Sequence, residues 1–240
     1  MYSVIRAEFI KGKRGSISKI VVGMPLASAL IAFMLMGGQN GAFNWWYSML
    51  SPATAALICS AGLSRDKKQD YKAARLCAVR QPRVWAGKIV YAAVLFLISS
   101  LLFSLGVHII GLAGQENVTL AVNVHATTVL YLSSLFSLPT ALFLCDWLSV
   151  ATGATAVAAL SMVAGLVAWN KPFWRFCPFA VPNRLMCGIL GMYPNGLPIT
   201  GEAERFSSDP VMSAVLINLA YFIVLSVITS IRFSKKEVGK

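Results

Sequence analysis

The two histidines are the first residues of the chain that could carry acid–base or metal chemistry. His108 precedes and His125 follows a short polar segment between two apolar runs, so both are expected at the same end of their helices. Such a pair forms either a proton relay or a weak metal pair, or it sits at a membrane interface, as ionisable groups near span ends usually do. No row of buried carboxylates is expected beside them, which argues against a proton-coupled transporter.

The cysteines lack the spacing of a metal or redox site. None belongs to a CxxC pair or to a Cys/His cluster, so zinc binding and thioredoxin-like chemistry have no support. Cys177 and Cys187 share one polar segment, where they form either a disulfide or two free thiols. The five cysteines are Cys59, Cys77, Cys145, Cys177 and Cys187.

Motifs for nucleotide hydrolysis and for acyl transfer are also missing. A P-loop needs GxxxxGK followed by Ser or Thr, so that backbone amides cradle phosphates while the lysine neutralises them. The glycines of KGKRGS, residues 11–16, lack that spacing. Neither GxSxG nor HExxH occurs. We therefore expect no enzyme: a chain with no catalytic residue, no metal and no cofactor of its own.

The composition points to a membrane protein. Of 240 residues, 57% are hydrophobic and 12% are charged, whereas about one quarter of an ordinary soluble domain is charged. The net charge is +12, but the basic residues flank apolar segments and are not expected on one solvated face. This distribution argues against a nucleic-acid partner. The sequence predicts an all-α membrane protein with a single transmembrane domain, residues 1–240.

Six apolar segments are predicted to cross the bilayer, because a helix needs about 20 apolar residues to do so. Pro139 predicts a kink in the fourth. The fifth carries a smooth face of small residues, which serves either internal packing or a dimer interface. That face consists of Ala154, Ala158, Ser161 and Gly165. The predicted spans cover residues 17–36, 48–63, 88–112, 126–144, 148–169 and 211–231.

Three segments outside the spans carry most of the polar residues. Residues 1–16 predict an amphipathic basic helix along the cytoplasmic membrane surface. Residues 64–86 form a charged loop, within which residues 70–79 predict a short amphipathic helix. Residues 170–209 contain five prolines and apolar stretches of about ten residues, a length that favours re-entrant or interfacial helices over full spans.

The distribution of Lys and Arg predicts the orientation, because cytoplasmic segments carry the excess. Seventeen of the 21 Lys and Arg residues lie in the N-terminal segment, the 64–86 loop and the C-terminal tail, with their borders. These segments are therefore expected in the cytoplasm, and residues 170–209 outside the cell. The chain is expected to be a multi-pass protein of the plasma membrane, in contact with its lipids.

The first 95 residues resemble the permease subunits of lantibiotic-immunity ABC transporters, of the MutG and MutE/EpiE kind. The second half of the chain is similar to them mainly in hydropathy. The resemblance rests on IRAEFIKGKRG (residues 5–15), NWWYSMLSPATAALIC (residues 44–59) and SRDKKQDYKAARLCAVRQPRVWAGKIVY (residues 64–91).

That resemblance implies a subunit of an ATP-driven exporter in a bacterial cell membrane. Its partners would be a second permease, related or identical, and two copies of a separate ATPase that binds ATP and magnesium. Its cargo would be a cationic, lanthionine-containing antimicrobial peptide. Residues 70–79 would act as the coupling helix, with Asp70, Tyr71, Arg75 and Leu76 on the ATPase. The extracellular exit region would contain Trp45, Trp46, Phe173, Trp174, Phe176 and Phe179.

Two other functions remain open from the sequence. One is an ABC permease for a different hydrophobic cargo, such as another antibiotic or a lipid. The other is a membrane enzyme or sensor without transport, which would use His108 and His125 or the outward loop. The tryptophans at 45 and 46 have an alternative role too, as an aromatic belt at the membrane interface.

Overall fold

Helices make up the chain in the computed structural model. The structure describes residues 2–12, 15–69, 71–72, 79–114, 118–201, 205–206 and 208–235. Among these residues it contains no β-strand and a single isolated bridge, Met192 to Pro198. The helices are α1 Tyr2–Gly12, α2 Ile17–Met34, α3 Gly38–Trp45, a π turn Trp46–Leu50, α4 Ser51–Lys68, α5 Gln81–Leu112, α6 Leu120–Ser134, α7 Ser137–Trp147, α8 Val150–Ala168, a 3₁₀ turn Trp174–Phe176, α9 Val181–Leu190 and α10 Val211–Lys235.

Five helical stretches in the described part of the chain are long and apolar enough to cross a membrane. They correspond to five of the six predicted spans, and α6 and α7 together form one of them. The remaining predicted span, residues 48–63, falls on the π turn and α4, which are not among the five. The five stretches are Ile17–Met34, Gln81–Leu112, Leu120–Trp147, Val150–Ala168 and Val211–Lys235.

The helical path from α3 through the π turn to α4 runs antiparallel to α5. At one end, the Gln39 side chain donates to the Val107 carbonyl at 3.1 Å. At the other, Asp66 pairs with Lys88 near the start of α5. Pro52 has no N–H to offer the carbonyl four residues earlier, and the helix widens into the π turn directly before it.

The predicted kink at Pro139 is confirmed as a break between α6 and α7. Pro139 has no N–H for the Leu135 carbonyl, which instead accepts a hydrogen bond from the Leu138 N–H at 3.1 Å. The tighter turn at residues 135 and 136 interrupts the helix four residues before the proline.

Both terminal helices contact the start of α5. The Phe9 ring of α1 meets Tyr91 edge-on at 4.8 Å, and Trp85 stacks on Phe233 of α10 at 4.6 Å. Lys67 donates to the carbonyls of Cys145 and Asp146 at 2.8 and 2.9 Å, which places the turn between α7 and α8 at the same end. We call this the basal end of the bundle and the opposite one the distal end.

The segment between α4 and α5 is shorter than the charged loop predicted over residues 64–86. Residues 64–68 continue α4, and residues 81–86 already belong to α5. The side chains of Arg65, which is exposed, and of Lys67, which is half-buried, donate to backbone carbonyls of other helices. The connector is therefore residues 69–80.

The distal end is closed by the residues between α8 and α10. Helix α9 packs against α6 and the π turn, and seven of its ten residues are buried. It ends at Gly191, whose φ of 67° is the left-handed conformation that terminates helices at low cost for glycine.

The small-residue face of α8 packs inside the chain. Ala154, Ser161 and Gly165 are buried, and Ala158 is half-buried. Of the two roles that the sequence leaves open for this face, the structure favours internal packing against α4, α7 and α9.

Gly153 of α8 should tolerate no larger side chain. A Cβ there would lie 2.6 Å from the Cα of Cys145, and backbone cannot move aside as a flexible side chain can. We expect Gly153→Ala to destabilise the detergent-purified protein by about 1–3 kcal/mol in thermal unfolding. Gly106→Ala is the matched control, since a Cβ at Gly106 meets no atom within 4 Å. Equal melting temperatures for the two variants would contradict this packing.

Candidate functional site

Four charged side chains meet at the basal end. Lys88 of α5 donates to both carboxylate oxygens of Glu8 at 3.1 Å and also pairs with Asp66 of α4. Lys11, one turn after Glu8 on α1, lies 2.9 Å from Glu8 and 3.3 Å from Asp66. The cluster, called the basal ion cluster below, thus joins α1, α4 and α5.

The basal ion cluster is buried and electrically balanced. Glu8 and Lys88 are each 3% exposed, and Asp66 is 6% exposed. Removing such groups from water costs several kcal/mol per ion unless opposite charges and hydrogen bonds replace the solvent. Two carboxylates and two ammonium groups meet that requirement, so the pairing determines where α1 docks.

The pKa values of two cluster members reflect this pairing. Burial alone would raise the pKa of Asp66, but Lys88 and Lys11 outweigh it and hold the pKa below its ordinary 3.8. Burial alone would lower the pKa of Lys11, but Glu8 and Asp66 outweigh it and hold the pKa above 10.5. Both groups are therefore charged throughout the neutral range.

A cavity of about 110 Å³ lies beside the cluster, between α1 and α4. Arg65 borders it and donates to the Lys11 carbonyl, which closes the end of α1. Gly12 makes room for the Tyr91 ring, because a Cβ at this position would overlap the tyrosine hydroxyl. The cavity lets solvent reach Lys11, whose side chain is 36% exposed.

Tyr71 connects the α4–α5 connector to two other helices. Its hydroxyl donates to Asp146 Oδ1 at 2.6 Å, and its ring meets Phe233 edge-on at 5.3 Å. Its N–H donates to the Asp66 carbonyl at 2.8 Å, with φ at 56°, an uncommon value for a residue with a side chain. Burial and the hydrogen bond to Asp146 raise the pKa of the hydroxyl well above its usual value.

Of the four predicted coupling residues, the structure describes Tyr71. It is 6% exposed and packs within the chain itself. Asp70, Arg75 and Leu76 lie outside the described residues. Contact of this segment with an ATPase stays a prediction.

The predicted exit residues near the π turn are largely internal. Trp46 is 1% exposed and stacks on Phe103, with ring centroids 4.6 Å apart. Trp45 is half-buried beside it. These two side chains therefore belong mainly to the core between α3 and α5.

The predicted exit residues before α9 differ among themselves. Trp174 is 5% exposed, whereas Phe173 and Phe176 are 55% and 69% exposed. Phe179 is half-buried against Phe136 at 4.8 Å. Phe173 and Phe176 are therefore the members of the predicted exit set that a partner or lipid can reach.

Arg184 of α9 holds the distal end together. Its guanidinium pairs with Asp209 at 2.5 Å and lies over the Phe206 ring at 4.4 Å. It is 5% exposed, so a cation that the sequence assigned to an outward loop is buried. Its pairing with Asp209 ties α9 to the start of α10.

Both histidines and four of the five cysteines lie in the described part of the chain. His108 is half-buried and His125 is exposed, and no cluster of three or more His, Cys, Asp or Glu able to hold a metal ion is found there. Cys177 and Cys187 are free thiols.

Sequence reasoning missed the basal ion cluster. It placed every acidic residue at a span end or in a loop. In the structure Glu8 is the most deeply buried residue of α1, while Ile10 is 58% exposed. The position of α1 along the membrane surface stays a prediction. Lys88 could have indicated the cluster from the sequence. It is a single charge followed by a long apolar run, and a lysine that is buried requires a carboxylate partner.

Comparison of the chain with protein-family models, with curated proteins and with solved structures finds no match. Its class follows from its own structure: an all-helical, multi-pass membrane protein with several long apolar helices.

Removing the charge of Lys88 should destabilise the fold strongly. Lys88→Met leaves two buried carboxylates sharing Lys11 alone, and breaking a buried pair in this way costs about 3–5 kcal/mol. Lys19→Met is the control, because Lys19 is exposed. Thermal unfolding of the purified protein measures both. Adding Glu8→Gln to Lys88→Met should recover part of the loss, and no recovery would contradict the pairing.

The contribution of Asp66 to the stability of the fold should depend on pH only in acidic solution. Because its pKa is lowered on folding, the stability it contributes is complete above its ordinary pKa of 3.8 and is lost as the pH falls through the lower folded value. The difference in melting temperature between wild type and Asp66→Asn should be constant from about pH 5 to pH 9 and shrink below about pH 4. A change in that difference near pH 7 would show that Asp66 is not paired as described.

Proposed function

We propose that this chain is the membrane-spanning subunit of an ATP-driven ABC exporter. In this proposal it expels lantibiotic-type antimicrobial peptides from a bacterial membrane and so gives self-immunity or resistance. The observation that carries the proposal is the position of Tyr71. One side chain of the α4–α5 connector bonds Asp146 at the end of α7 and packs on Phe233 of α10.

This arrangement suits a connector that receives force from a partner. A displacement of residues 70–79 reaches α7 through Asp146 and α10 through Phe233, while the Asp66 carbonyl links it to α4. Packed elements with few alternative arrangements transmit such displacements over their whole length. ATP and magnesium bind to two copies of a separate ATPase, and a second permease, related or identical, completes the complex.

The position of the two terminal helices supports a six-span topology. Helix α1 and the end of α10 both lie at the basal end, which requires an even number of crossings. Five stretches qualify by length and composition, and the path from α3 to α4 extends along α5 from Val107 to Lys88. We infer that this path is the sixth crossing.

The basal end faces the cytoplasm in this proposal. It carries the segments that contain most of the 21 Lys and Arg residues, and such segments stay on the cytoplasmic side. The distal end then faces outward and holds the exposed rings of Phe173 and Phe176. These rings would contact the apolar side of an amphipathic peptide as it leaves.

The first experiment separates binding of an ATPase from coupling to it. The chain is purified from the membranes of the cell that makes it, and any co-purifying ATPase is assayed with and without added peptide. Arg75→Ala with Leu76→Ala should lose the ATPase. Tyr71→Phe should still bind the ATPase. The stimulation of ATP hydrolysis by the peptide should fall about fivefold or more, because a hydrogen bond to a carboxylate is worth about 1.5–3 kcal/mol.

The matched control is Tyr2→Phe, since Tyr2 is 78% exposed. It should behave like wild type. If a lipid or another antibiotic stimulates the ATPase and lantibiotics do not, the chain is still an exporter subunit, but its cargo is not a lantibiotic. If no ATPase co-purifies with wild type, the exporter proposal is wrong and an enzyme or sensor without transport becomes the better hypothesis.

A further inference from the structure

The cavity beside the basal ion cluster is also bordered by the start of α2. Gly15 and Ser16 of the turn before this helix, and Ile17 at its first position, line the cavity together with residues of α1, α4 and α5. Its volume of about 110 Å³ is several times the roughly 10–15 Å³ that one water molecule requires. The cavity therefore has room for a polar group of several heavy atoms.

The start of α2 offers backbone donors at this cavity. The first hydrogen bond of the helix runs from the Ile20 N–H to the Ser16 carbonyl at 3.2 Å. The N–H groups of residues 17–19 come before it and have no carbonyl acceptor inside the helix, and the Ser16 side chain does not cap them. Such N–H groups, together with the positive end of the helix dipole, favour an anion.

Tyr91 of α5 adds a hydroxyl that has no hydrogen-bond partner among the described residues. The residue is 5% exposed, and its ring meets Phe9 edge-on. The ring packs beside Gly62 and the hydroxyl lies against Gly12, and all three residues line the cavity. A buried hydroxyl without a partner is unfavourable, so a group bound in the cavity would gain by accepting its hydrogen.

The charged side chains at the cavity favour an anion as well. The two carboxylates that border it, Glu8 and Asp66, are already paired with the lysines of the basal ion cluster. Arg65 is exposed at the cavity wall, where its guanidinium donates to the Lys11 carbonyl and brings a further positive charge. A guanidinium group matches the geometry of phosphate oxygens.

We propose that this cavity binds one phosphate group, which belongs to an anionic phospholipid or to a soluble phosphate. Its oxygens accept hydrogen bonds from the amides at the start of α2, from the Tyr91 hydroxyl and from Arg65. A phospholipid fits a membrane protein better, because basic pockets between membrane helices bind lipid head groups. The exposed side chains of Val22, Leu26 and Leu30 continue along α2 from this point and offer a surface for acyl chains.

The phosphate site needs neither an ATPase nor a cargo peptide, so it is independent of the proposed export function. A phosphate group in the cavity joins the start of α2 to α5 through Tyr91 and to α4 through Arg65. The basal half of the bundle is then held together by a ligand as well as by its own ion pairs.

The test measures binding of phosphatidylglycerol to the full-length protein in detergent by native mass spectrometry. The site variants are Arg65→Gln and Tyr91→Phe, of which the second keeps the ring that meets Phe9. The matched controls are Lys68→Gln, which removes an exposed charge one turn later on α4, and Tyr131→Phe, which removes the hydroxyl of a half-buried tyrosine. Neither control residue lines the cavity.

Wild type should bind one molecule of phosphatidylglycerol saturably. It should bind phosphatidylcholine more weakly, because the choline cation would lie beside positive groups. Each site variant should weaken the binding of phosphatidylglycerol about tenfold, as expected for the loss of one hydrogen bond to a charged group. Both controls should match wild type. Melting without ligand checks that each variant is folded, and either site variant alone is sufficient for the comparison.

A second measurement separates the two sources of the phosphate group. Thermal unfolding of lipid-free protein is compared in sodium phosphate and in sodium chloride at equal ionic strength. If phosphate stabilises wild type more than the site variants, and phosphatidylglycerol does not bind, the site takes a soluble phosphate. The proposal is overturned if wild type binds neither phosphatidylglycerol nor phosphate, or if the site variants bind both as well as the controls do.

Discussion

The buried ammonium group of Lys88 is the constraint on which the basal half of the molecule depends. It lies on α5, and its carboxylate partners come from α1 and α4, so neither helix can move away without leaving a charge in an apolar environment. The apolar contacts of α1 follow from this arrangement. Phe9 reaches Tyr91, and Val4 fills the space that Gly87 leaves on α5.

Helix α4 also links the basal ion cluster to α7, on its other side. One residue after Asp66, Lys67 donates to the last carbonyls of α7, where a positive charge also complements the negative end of the helix dipole. Two successive residues of α4 therefore fix opposite neighbours, α5 through Asp66 and α7 through Lys67. Tyr71 repeats the contact with the end of α7 and adds α10.

Hydropathy predicted the long helices well, because length and apolar character are properties of a contiguous segment. The kink at Pro139 was also predictable, since it depends on one missing N–H. The burial of Glu8, Lys88 and Arg184 was not, because each depends on a partner distant in the chain. The sequence also predicted a crossing at residues 48–63, on the α3–α4 path, although serines, threonine and the charged end lower its hydropathy. The contacts of this path with α5, at Gln39 and Asp66, were not predictable, because they join residues distant in the chain.

The separation of Glu8 and Lys88 in the chain has a consequence for how the protein is made. Lys88 is synthesised 80 residues after Glu8, which at about 5–20 residues per second corresponds to roughly 4–16 s of translation. For most of that interval α1 has neither Lys88 nor Asp66 available as a partner. Helix α1 is thus synthesised before both of the helices whose charges hold it in place.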